Sequence, residues 1–168
     1  MKADFRRNMK RSLAVLFWIL YIAFSSFLIV HSCLSAESSS EKSSFVGEIV
    51  DKVLSALIPD PSGANLPLSE RWDGFSTFIR KGIGHFGGFF VCGALGFFAF
   101  FFTASLEKTP LSLVCGGFLA LFTEFLQLFA EGRGAQLSDS LLDFAGYFLS
   151  TALLYLLFFL LGLRKRKV

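Results

Sequence analysis

LSLVCGGFLALFTEFLQLFAEGRGAQLSDSLLDFAGYFLSTALLYLLFFLLGL, residues 111–163, decides the fold. Two runs rich in Leu and Phe flank a short polar turn, and each approaches the roughly 20 residues that cross a hydrocarbon core. Yet Glu124, Gln127, Glu131, Arg133, Asp139 and Asp143 are set into and between them. The pattern predicts a hairpin of two membrane helices with its polar groups gathered at one end.

Outward from that hairpin, two more runs are long enough to span, Leu13 to Val30 and Gly82 to Phe102. With 54% apolar residues, 23 Phe and a mean hydropathy of +0.61, the chain is more apolar than a soluble domain of about 45–50%. The expected fold is all-α, a polytopic membrane four-helix bundle with spans at 13–30, 82–102, 111–130 and 139–163. An outer connection occupies 31–81, an outer turn 131–138, and basic tails 1–12 and 164–168.

The formal charge of +3 sits mostly in those tails, so it reads as a topology signal and not as affinity for nucleic acid. Acids outnumber bases between Cys33 and Lys81, and an excess of Lys and Arg marks the cytoplasmic side. Both termini are therefore expected in the cytoplasm. Val30-His31-Ser32-Cys33 follows a basic start and an apolar run as a lipoprotein cleavage box does. The apolar run is longer than the about 7–15 residues of a leader, so it is expected to stay as a span. Cys33, Cys92 and Cys115 form no CxxC pair, and the last two are expected to pack as small apolar side chains.

In the connection, LSAESSSEKSS shows no apolar period and reads as a solvated linker without chemistry. Phe45, Ile49, Val53 and Leu57 then repeat every fourth residue, which predicts an amphipathic helix over 45–58 lying on the membrane surface or against the bundle. Pro59, Pro61, Gly63 and Pro67 end it, and Trp72 suits an interfacial anchor. Gly82-Ile83-Gly84-His85-Phe86-Gly87 matches GxGxxG, but it opens a span and follows no βαβ unit, so its glycines are read as packing residues. His31 reads as an interfacial residue, and the Phe runs as lipid-facing or core bulk.

The topology brings Lys81 and His85, Glu124 and Gln127, Arg133, and Asp139 and Asp143 to one leaflet. Helical spacing aligns Lys81 and His85 with Gly88, Cys92 and Gly96; Glu124 and Gln127 with Ala120 and Gly116; Asp139 and Asp143 with Gly146 and Ser150. Three such faces predict a tight small-residue seam opening into a polar cup. Glu124 is expected about six residues, or about 9 Å, inside the end of its span, needing water, a proton or a partner such as Lys81, His85 or Arg133. A buried network that only fixes helix register is the plainer reading. Several carboxylates with Lys, Arg and His fit a binding or reaction site better.

Arg80-Lys81, Gly84-His85-Phe86, Thr123-Glu124-Phe125-Leu126-Gln127-Leu128-Phe129, Gly132-Arg133, and Asp139, Asp143 and Gly146 resemble the motifs of the VanZ-like family. The resemblance covers residues 75–160 and roughly the first span. It implies a small bacterial multi-pass cell-membrane protein, in a family whose founding member is linked to low-level teicoplanin resistance. It also carries the family's polar positions onto Lys81, His85, Glu124, Gln127, Arg133, Asp139 and Asp143. Where the family often has an acid and then Tyr after His-Phe, this chain has Gly88 and Phe89, which weakens a catalytic reading.

The leading expectation is a membrane binding module for an envelope lipid, a cell-wall precursor or a lipoglycopeptide, with Lys81 and Arg133 on anionic oxygens. The alternative is an intramembrane enzyme on a lipid-linked substrate, with His85, Glu124 and Asp143 as acid/base candidates. A variant of that alternative holds a metal on His85, Glu124, Asp139 and Asp143, although their spacing is no metal signature, so neither metal nor cofactor is assigned. A transport path is disfavoured because the acids stop in one leaflet. Ligand identity and oligomeric state are not legible.

Overall fold

A segment crossing lipid must satisfy its own backbone hydrogen bonds, which uninterrupted apolar runs do as helices. The computed structural model describes residues 2–162. In order they form α1 (Lys2–Ser32), α2 (Ala36–Leu57), the short turns α3 (Leu68–Arg71) and α4 (Phe75–Thr77), a π-helical stretch Phe78–Gly87, α5 (Gly88–Thr103), a 3-10 turn Leu106–Leu111, α6 (Ser112–Gln127) and α7 (Leu137–Leu160). No strand occurs among the described residues. Four segments are long and apolar enough to cross a membrane: Asp4–Ser32, Phe75–Thr103, Leu106–Gln127 and Leu137–Leu160. The basic stretch 164–168 and Leu163 fall outside the described residues.

Helix ends differ from the hydropathy reading for identifiable reasons. Span one is already helical in its basic start, because Lys and Arg favour helix although they lower hydropathy. Span two begins at Phe75, seven residues before Gly82, with Arg80 and Lys81 inside it. Span three stops at Gln127, where the amides of Leu128, Phe129 and Ala130 turn back to carbonyls three residues earlier and Gly132 takes a φ of +69°. The serine-rich stretch expected to be a linker is instead the first half of α2. The Ser35 hydroxyl caps it, accepting from the Ser38 amide at 3.3 Å. The Ala36 amide, bonded to the Glu131 carbonyl at 2.9 Å, ties its start to the turn after span three.

The side chains of α2 divide accordingly. Phe45, Ile49, Val53 and Leu57 are exposed, while a Cβ added at Gly47 would meet Phe75 and Ile79, at the start of span two, at 3.8 Å.

Span two is the centre of the bundle, packed against spans one and four, with span three against span four. Tyr147 is fully buried because glycines make room for it. A Cβ at Gly116 would lie 2.5 Å from its ring, and one at Gly96 would strike its hydroxyl. Gly146 lies against the Phe86 carbonyl, and Gly93 against Ser150 and the Tyr147 backbone. The small-residue seam thus closes on an aromatic ring. The Tyr147 hydroxyl donates to that of Tyr21 at 3.2 Å and so fastens span one. Cys92 is buried 3.4 Å from the Ser25 hydroxyl, whereas Cys115, also expected to pack as a small apolar side chain, is exposed.

Candidate functional site

Lys81 and His85 stand four apart on the π-helical stretch, and Asp139 and Asp143 four apart at the start of α7. They meet as two rungs of a ladder between spans two and four. Lys81 Nζ lies 2.5 Å from Asp139 Oδ1, and His85 Nδ1 lies 3.0 Å from Asp143 Oδ1. The lower rung is the drier: the side chain of Asp143 is 1% exposed and that of His85 13%. Asp139 also gains from the N-terminal dipole of α7.

Four glycines, Gly82, Gly84, Gly87 and Gly88, let the helix widen where it carries the ladder. Expected as packing residues between helices, they act mostly within their own helix. A Cβ on Gly87 would lie 3.3 Å from the Gly82 carbonyl, five residues back, and only Gly88 meets another span, at Leu28.

Glu124 is 3% exposed on α6, one turn before the helix end and not six residues inside it. Its hydrogen-bond partners differ from the cations expected. Gln127 Nε2 donates to Oε1 at 2.6 Å and the Gln136 amide to Oε2 at 2.8 Å, so the early end of span three lets the following loop fold back over the carboxylate. Arg133 instead donates to the His31 carbonyl at 3.5 Å.

Above this network a cavity of about 680 Å³ opens between α2, the start of span two and the turn 128–136. Its floor includes Gln127, Gln136 and Asp139, its rim Arg80 and Arg133, and one wall is the serine face of α2. Of the seven site residues expected from sequence, Gln127, Arg133 and Asp139 line this space. Lys81 and Glu124 do not line it but are bonded to lining residues, Lys81 to Asp139 and Glu124 to Gln127 and Gln136, whereas His85 and Asp143 are bonded to each other outside the lining.

Arg80, quoted from sequence only as part of a motif, and Gln136, Ser39, Ser40, Ser43 and Ser44 are among the lining residues not expected there from sequence. The spacing 39, 40, 43, 44 is one helix face, a signal hidden by the assumption of a linker. Burial draws the Arg133 guanidinium below the usual arginine range; attraction to Glu124 opposes that shift and repulsion from Arg80 reinforces it. Arg133 stays cationic at neutral pH. Two like charges therefore share one cavity, whose lining also holds the acids Glu48, Asp51 and Asp139.

Chemically, the upper layer offers guanidinium and hydroxyl donors to anionic oxygens. In the lower layer His85, Glu124 and Asp143 each place one ligand or acid/base atom within 4.8 Å of the others. Asp139, considered with them as a ligand, is turned to Lys81.

A protein-family model described as VanZ/LLP1 matches residues 13–159. No curated protein and no solved structure gives a significant match.

Proposed function

The chain belongs to the VanZ/LLP1 family, and from that premise we propose that it binds the anionic headgroup of an envelope lipid, cell-wall precursor or lipoglycopeptide in its polar cavity. The observation that carries this reading is that Arg80 and Arg133, two like charges, line one cavity. An anion between them relieves their repulsion and accepts their forked donors. On the serine face of α2 the Ser43 and Ser44 hydroxyls donate to carbonyls of their own helix, which leaves Ser39 and Ser40 as the neutral donors suited to phosphate or sugar oxygens. Lys81, expected to contact the ligand, is committed to Asp139, and Arg80 takes its place as the second cation.

Basic residues at both ends of the sequence and an even number of spans argue for cytoplasmic termini, which puts the cavity at the outer leaflet of the cell membrane. There the exposed Phe45–Leu57 stripe of α2 lies in the headgroup region and holds the serine wall at the depth of its ligand.

The test is antibiotic susceptibility in cells expressing the chain. Glu124→Gln and Asp143→Asn should change the response to a lipoglycopeptide at unchanged abundance; an unchanged response in both refutes the site. The His85–Asp143 pair beside Glu124 favours a second reading, acid/base chemistry on a lipid-linked substrate. Turnover of such a substrate, abolished by Glu124→Gln, supports it.

A further inference from the structure

We propose that His85, Glu124 and Asp143 form a binding site for one divalent first-row metal ion directly under the cavity. The three residues come from the π-helical stretch, α6 and α7, so an ion there would be held by three separate spans. Their ligand atoms lie within 4.8 Å of one another. Bonds near 2.1 Å place the ligands of one ion at most about 4.2 Å apart. Closing that gap takes a side-chain adjustment of about half an ångström.

Charge argues in the same direction. Glu124 and Asp143 are both nearly inaccessible, at 3% and 1% exposure, and among the described residues the one basic side chain hydrogen-bonded to either is His85. Lys81 is bonded to Asp139, and Arg133 makes its hydrogen bond to a carbonyl. Two carboxylates therefore meet in a dry interior with one imidazole bonded to them and Arg133 acting on Glu124 without a hydrogen bond, and a divalent cation would balance the remaining charge. One imidazole with two carboxylates suits Mn²⁺, Fe²⁺ or Zn²⁺ better than Ca²⁺, which takes oxygen ligands only.

Ligand orientation is already set. Gln127 Nε2 and the Gln136 amide each hold one oxygen of Glu124, leaving further lone pairs on both. Both of those residues line the cavity, so an ion bound below them has its open side toward the space assigned to the headgroup. Metal binding adds to the function proposed above without depending on it, because headgroup binding is measured separately.

Tag-free protein in detergent, stripped with EDTA and titrated with Mn²⁺ while free ion is followed by electron paramagnetic resonance, tests the site. Mn²⁺ is chosen because Cys33 and Cys115 are exposed and thiol ligands favour Zn²⁺ over Mn²⁺. One Mn²⁺ per chain is expected in the wild type, lost in Asp143→Asn and in Glu124→Gln. Affinity should fall by about 10–100-fold in Gln127→Leu, whose amide orients a ligand. No stoichiometric binding by the wild type overturns the proposal whatever the variants do. Wild-type affinity retained in Asp143→Asn with an unchanged circular dichroism spectrum overturns it too.

Discussion

Replacing His85 with Leu should destabilise the bundle more than replacing its partner Asp143 with Leu, although each breaks the same 3.0 Å contact. With His85 gone, the Asp143 carboxylate keeps its 1% exposure and faces Glu124 with no cation between them. Removing one member of a buried pair costs about 3–5 kcal/mol when the charge left behind is unpaired. With Asp143 gone, the imidazole can shed its proton or turn to Glu124, and the cost falls to about 1–2 kcal/mol, that of one buried hydrogen bond.

The double substitution removes the orphaned carboxylate together with its partner, so it should cost about 1–2 kcal/mol less than the sum of the singles. Unfolding in mixed micelles with EDTA present, followed by Trp18 and Trp72 fluorescence, measures all three. Equal costs for the two single substitutions, or strict additivity in the double, refute the claim that His85 balances a buried carboxylate pair.

Packing and loop order give further expectations. Gly116→Val should cost about 1–3 kcal/mol by overpacking against the Tyr147 ring, whereas Gly134→Ala, with nothing within 4 Å of the added carbon, should leave the same melting curve unchanged. Tyr147→Phe loses the hydrogen bond to Tyr21 and should cost about 0.6 kcal/mol, the average for a hydrogen bond between membrane helices, in the same unfolding assay. Asp60 accepts from the Ser62 and Leu66 amides, and those bonds hold its carboxyl below the ordinary aspartate value of 3.8. A depressed folded-state value means the loop's stabilisation is present above 3.8 and is lost as pH falls below it. Hydrogen exchange at Ser62 and Leu66 should accelerate in that acid window, and exchange independent of pH, after correction for the intrinsic rate, contradicts the assignment.

The four spans were legible because length and apolarity are what a bilayer demands of a helix. The facing of Lys81 and His85 toward Asp139 and Asp143 was legible too, from their four-residue spacing on two helices, but their pairing as two rungs was not. Tyr147 escaped notice because sequence spacing marks Gly96 and Gly116 as small without saying what fills the space between them. The partners of Glu124 were out of reach for a different reason. They depend on where α6 stops, and Leu128, Phe129 and Ala130 are as apolar as the helix they terminate. The serine wall was lost to composition: SSSEKSS reads as linker until Ser35 is recognised as a cap and the Ala36–Glu131 bond fixes α2 beside the site.

The most direct test of the cavity's assignment is binding of a polyprenyl diphosphate to the purified chain in phosphatidylcholine nanodiscs, for the wild type and for Arg80→Gln with Arg133→Gln. Each charged hydrogen bond to a phosphate oxygen contributes about 1.5–3 kcal/mol, and about 1.4 kcal/mol is tenfold in affinity. The wild type should bind with an affinity that falls as salt rises, and the double variant at least about 100-fold more weakly. Equal affinity in the two proteins would contradict an anion site between these arginines.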